Sequence, residues 1–156
     1  MALRLNDALI NEVMRSAHLI SAMGPTGFLL ILSGAQPADA NVVATGTHLA
    51  TIAVSDGATG VTLEAAAAVG AVQKAAAETW SGAGIAAGVA GWFRFSSLVT
   101  DKAGTIASAL AASTTVARLD GAIAASGAEL NTSNTNIVVS ALQTINTFTL
   151  TLPANL

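Results

Sequence analysis

Hydrophobic and polar residues alternate with period 2 near the end of the chain. Phe148, Leu150 and Leu152 fall on one face, and Thr147, Thr149 and Thr151 fall on the other. That is the pattern of a half-buried β-strand. It predicts a strand over Thr144–Leu152, inward-facing at the large residues and stopped by Pro153, which has no N–H to give a ladder. The start of the chain has a helical period instead. Leu5, Leu9 and Val13 recur every four residues, flanked by Ile10, Met14 and Ala17. This predicts a helix over Leu3–Met23, with Asn6 or Asp7 accepting free N–H groups in its first turn and Gly24-Pro25 ending it. The Leu5, Leu9, Val13 stripe cannot stay solvated. Residues 1–24 are therefore expected to pack on the rest of the chain, residues 25–156, or on a neighbouring subunit.

The middle reads as short strands between turn signals. Gly27–Ser33, GFLLILS, is apolar on both faces and predicts a central strand, with the N-terminal helix covering one side. Gly34–Gly46 is a loop by composition. Thr47–Ser55 is the next strand, with Leu49, Thr51, Ala53 and Ser55 opposite His48, Ala50, Ile52 and Val54, and Asp56-Gly57 turns it back. Thr59–Leu63 and Ala67–Val72 follow as short strands, though the alanine run also suits a helix. Lys74–Ile85 reads as a hairpin or loop, and Gly88–Ser96 as a strand around Trp92-Phe93-Arg94-Phe95. Asp101–Gly104 and Asp120-Gly121 read as turns, and Ile106–Leu110, Thr114–Leu119 and Ile137–Ser140 as further strands. The expected fold is mainly β: a β-sandwich or jelly roll of about eight short strands with an N-terminal helix.

Composition narrows the function. Charged residues make up 10% of the 156, against about 25% in an ordinary soluble domain. So little charge protects a free monomer poorly from association, and self-association is expected. The net charge is −3, and the six basic residues are dispersed, so no stripe faces a phosphate backbone. Nucleic-acid binding is not expected. Arg4, Asp7, Glu12 and Arg15 stand where a secretory signal needs an apolar core, and no window reads as a membrane span. Synthesis in the cytoplasm follows. There is no cysteine, hence no thiol chemistry.

Catalysis needs a nucleophile, a base and an orienting group that converge. His18 and His48 belong to no such motif, and Asp39, Asp56, Asp101 and Asp120 suit turns. No enzyme activity, metal, cofactor or small-molecule ligand is expected. Trp92 and Arg94 share one strand face and Phe93 and Phe95 the other. The phenylalanines are expected in the core, and Trp92 with Arg94 as a stacked, partly exposed interface pair. An exposed Trp92 or Trp80 would also suit a glycan- or receptor-binding module.

Four segments occur in a characteristic order: SGAQPADANVVATGTHLAT at Ser33–Thr51, GWFRF at Gly91–Phe95, SGAELNTSNTNI at Ser126–Ile137 and TFTLTLP at Thr147–Pro153. Together they resemble a family of small structural proteins encoded by tailed phages and prophages, and the likeness runs over nearly the whole chain. The resemblance implies a β-rich virion protein, most simply a capsid cement or decoration subunit whose partner is the major capsid protein. A tail, neck or baseplate place stays open. Interface candidates are Leu5, Leu9, Val13, Trp92, Arg94, Thr147, Thr149 and Thr151.

Overall fold

In the computed structural model, residues 3–16, 23, 26–65, 71–132 and 134–151 are described. The chain runs β1 (Arg4–Leu5), α1 (Asp7–Ser16), β2 (Gly27–Ser33), β3 (His48–Val54), β4 (Leu63–Ala65), β5 (Ala71–Lys74), β6 (Trp80–Ala83) and β7 (Gly88–Ser97). It continues through α2 (Lys102–Leu110), β8 (Arg118–Ala124), β9 (Leu130–Asn131), β10 (Asn136–Ile137), β11 (Leu142–Ile145) and β12 (Thr149–Thr151). Strand accounts for 43% and helix for 13%, so the fold is mainly β, as the pattern predicts.

A large sheet has the order β1-β8-β7-β2-β3-β6-β11, each neighbour antiparallel. β10 adds to β7, and β9 adds parallel to β8. A small sheet has the order β12-β5-β4. β2 lies in the middle of the large sheet with both faces buried, which is why its sequence has no polar side. On one face Leu29, Ile31, Phe93, Phe95, Leu119 and Ile123 share a core with Leu63, Val72 and Leu150 of the small sheet and with Leu9 of α1. On the other face Phe28, Leu30, Leu32, Ala53 and Trp92 meet Ala109 of α2, with Ile106 and Leu110 packed against them.

That second helix replaces two expectations. Ile106–Leu110 is not a strand, and Asp101–Gly104 is not a free turn. Asp101 caps the helix, its Oδ1 accepting the Gly104 N–H at 2.7 Å. Ile106, Ala109 and Leu110 stand at helical spacing, and that stripe faces the sheet. α2 thus covers this face of β2, while the N-terminal helix covers the other one through Leu9, as expected.

α1 starts later than expected, at Asp7 instead of Leu3. Arg4 and Leu5 pair with Asp120 and Leu119 of β8, so these two residues belong to the large sheet. Asn6 then opens the helix, its Oδ1 accepting the Leu9 N–H at 3.1 Å. The same oxygen accepts the Arg118 N–H, and Asn6 Nδ2 donates to the Val116 carbonyl at 2.6 Å. Residues 17–22, 24 and 25, which include His18 and the predicted stop, lie outside the described residues.

Three more expectations change. Lys74–Ile85 contains β6, with Trp80 fully buried and its Nε1–H donating to Glu78 Oε2 at 2.7 Å. Asp120-Gly121 lies in the middle of β8 and is not a turn. Gly121 is there because the Phe93 ring packs over it, and a Cβ would come within 2.6 Å of that ring. The terminal strand is two strands. β11 pairs with β6 in the large sheet, and after Asn146–Phe148 β12 pairs with β5 in the small one. Strict alternation in β3 also fails once. Leu49 is the extra residue at a bulge against β2 and enters the same core as Ala50 and Ile52.

Candidate functional site

Trp92 and Arg94 stack as the shared strand face implies, the guanidinium lying 5.3 Å from the indole centre. Neither is exposed: both are fully buried. The expected interface pair is therefore an internal one, because α2 and the loop at 42–44 close over that face. Arg94 forks onto Asp120, Nε to Oδ1 and Nη2 to Oδ2, each at 2.7 Å. Its Nη1 donates to the carbonyls of Ala109 at 2.8 Å and Val42 at 3.2 Å. Arg118 donates to the carbonyls of Ala111, at 2.7 Å, and Ser108, and the Ala44 N–H donates to that of Leu110 at 2.9 Å.

The last carbonyls of α2 are thus all received from outside the helix. α2 carries no basic residue in its own last turn, and two sheet arginines supply the positive charge its C-terminus favours. Burial pushes the Asp120 carboxyl above the usual carboxylate range, while the hydrogen bonds and charge of Arg94 oppose that. Burial, with the charge of Arg94 beside it, lowers Arg118 to about 10. Closed from solvent, this cluster locks α2 to the sheet and offers a substrate no access.

The helix stripe is also turned inward. Leu9 is fully buried in the main core, and Leu5 and Val13 are half-buried against it. These three seal the chain's own core and are not a free docking stripe. Thr147, Thr149 and Thr151 are exposed, as the alternation predicts. Thr147 and Thr149 line, with Gln73, Lys74 and Asn146, a shallow cavity of about 240 Å³.

A second cavity, of about 280 Å³, is lined by His48, Thr51, Asp56, Ala83, Ile85, Lys102 and Ile106. His48 Nε2 lies 2.9 Å from Thr51 Oγ1 and 3.1 Å from the Ala50 carbonyl. Burial lowers the imidazole below its ordinary range, against a smaller opposite pull from the Ala50 carbonyl. Asp56 accepts the Ala83 N–H, and Lys102 donates to the Gly57 carbonyl. The charges here hold loops in place. Among the described residues no group of three or more His, Cys, Asp or Glu could hold a metal, and no helix is long and apolar enough to cross a membrane.

One surface stands out that residue-level reading missed. Ile85, Val89, Val138, Val139 and Leu142 are each between 53% and 60% exposed. Backbone pairing brings them to one end of the large sheet. Asn136 and Ile137 pair with Val89 and Gly88, and Leu142 pairs with Ala83. The Ser140 N–H donates to the Gly84 carbonyl at 2.7 Å, and Gly84 N–H to that of Ala141 at 3.0 Å, closing the turn between. A signal was present in the sequence: neither Thr79–Phe93 nor Leu130–Leu156 contains a charged residue. Comparison of this chain with protein-family models, curated proteins and solved structures finds no match.

Proposed function

We propose that this protein is a structural component of a tailed-phage virion, a capsid cement or decoration subunit that works by contact with the shell. The observation that carries this reading is the aliphatic end: five large apolar side chains left more than half exposed on a mainly β body, in segments free of charge. Exposed apolar surface gathered in one place marks an interaction site. The remaining large side chains support the same reading. All six aromatics, Phe28, Trp80, Trp92, Phe93, Phe95 and Phe148, are buried, so the large apolar side chains left for contact are aliphatic, and half of those among the described residues are the five at this end. We read the small sheet stacked on one face of the large one as a β-sandwich. Many symmetric copies, each adding a modest contact, would stabilise a shell without turnover.

Cryo-microscopy of a particle from a phage encoding this chain tests the proposal. Copies seated on the capsomers, aliphatic end buried, are the expected result. Density confined to the tail or neck, with bare capsomers, would move the protein to a tail, neck or baseplate role. The glycan-binding alternative lacks its exposed aromatic, since Trp80 and Trp92 are both buried.

A further inference from the structure

We propose that a second copy of this chain covers the aliphatic end, β11 of one copy pairing antiparallel with β11 of the other across a two-fold axis. This rests on the reading of that end as a contact surface, and not on which particle carries it.

The first argument is the sheet edge. β11 occupies the last place in the large sheet, with β6 on its inner side. An edge strand turns alternate N–H and C=O groups outward as a template for another strand. Proteins blunt such edges with short strands, charges or proline. The opposite edge of this same sheet is blunted: β1 is two residues long, carries Arg4 and leads into α1. In the small sheet, edge strand β4 carries Glu64, and the other edge strand, β12, is uncharged Thr-Leu-Thr but only three residues long. β11 reads Leu-Gln-Thr-Ile, with neither charge nor proline.

The second argument is the partner's chemistry. The five exposed side chains belong to two stretches of the sequence, Thr79–Phe93 and Leu130–Leu156, which contain no charged residue. Asp56 and Lys102 line the cavity beside Ile85, but within these two segments a partner recognised by charge finds no side chain to pair with. An identical surface meets no like-charge penalty, and an antiparallel strand pair is self-complementary about a two-fold.

Area sets the strength. Aliphatic side chains carry roughly 60–120 Å² of apolar surface each, so five of them little more than half exposed leave roughly 170–340 Å² uncovered. A standard interface takes about 800 Å² per partner. The patch supplies the apolar centre and the strand edge supplies polar contacts beside it. The expected dimer is reversible and visible at high concentration.

Sedimentation velocity of the full chain from micromolar to millimolar concentration should show monomer passing to dimer. L142K and V139E each place a charge on the end at an exposed position. Each should weaken the dimer roughly tenfold or more while the dilute protein melts as the parent does. The chain has no cysteine, so Thr144→Cys on β11 gives a unique handle. A short bismaleimide should join two T144C copies and leave Thr115→Cys copies, labelled on an exposed loop, unjoined. A monomer at every concentration, a dimer indifferent to both charges, or equal cross-linking at Thr115→Cys would overturn the proposal. If the monomer still joins particles, and L142K stops it, another virion protein occupies this end and the contact reading survives alone. If the chain dimerises but joins no particle, the pairing stands and the virion reading falls.

Discussion

Asp120 is fully buried and faces Arg94 through two 2.7 Å hydrogen bonds. Removing one partner of a buried pair strands the other charge, at a cost of about 3–5 kcal/mol. Asp120→Ala should therefore lose a large part of a stability that is about 5–15 kcal/mol in all for a domain of this kind. Urea unfolding at neutral pH measures it, and a loss under about 1 kcal/mol would mean the pair is not shielded as described. Replacing both partners by apolar residues should not restore the parent, because the Val42 and Ala109 carbonyls would still lose their donor. His48 supplies a pH dependence. Its folded imidazole is held below the ordinary 6.5 by burial. Below that pH the unfolded chain binds more protons than the folded one, so stability falls as pH drops through the window. Melting temperature should fall further from pH 7.5 to 5.5 in the parent than in His48→Gln; equal falls would assign the change to other groups.

At the scale of elements, the two ends of the chain carry stability out of proportion to their length. Leu9 lies in the main core beside Asn6, which ties α1 to β8. Leu9→Asp loses an apolar side chain and buries a charge, so it should cost several kcal/mol. A variant that melts like the parent would show that α1 is not sealed onto the core. Truncation after Ile145 removes β12 and with it Phe148 and Leu150, each worth roughly 1.5–3 kcal/mol of burial. Phe148 also meets Trp80 and Phe93, ring centres 5.8 and 5.6 Å apart. The truncated chain should be insoluble or molten, and a cooperative thermal transition in it would contradict the place of β12 in the small sheet. The inward set at Phe148 and Leu150 was legible from alternation. The break between β11 and β12 was not, because side chains keep alternating while the backbone changes partners.

For the whole molecule, the distribution of apolar surface decides what it can touch. Both tryptophans are buried and the exposed large residues are aliphatic. Intrinsic fluorescence should be blue-shifted and unmoved by millimolar host-cell glycans; a saturable shift would revive the receptor-binding alternative. Periodicity and composition alone determined the β-rich class, the doubly buried strand β2, an N-terminal helix with Leu9 inward, the inward phenylalanines of β7 and the outward threonines near the end. Each of these depends on how a residue sits relative to its near neighbours in the chain. Only the tertiary structure decided the rest. Trp92 and Arg94 look like surface residues until α2, itself misread as a strand, lies over them. Asp120-Gly121 looks like a turn until Arg94 supplies the charge partner and the Phe93 ring needs the glycine. The aliphatic end exists only because strands far apart in the chain finish side by side. Alternation says that a strand has two faces; what covers each face is a contact between distant segments, and local pattern carries no record of it.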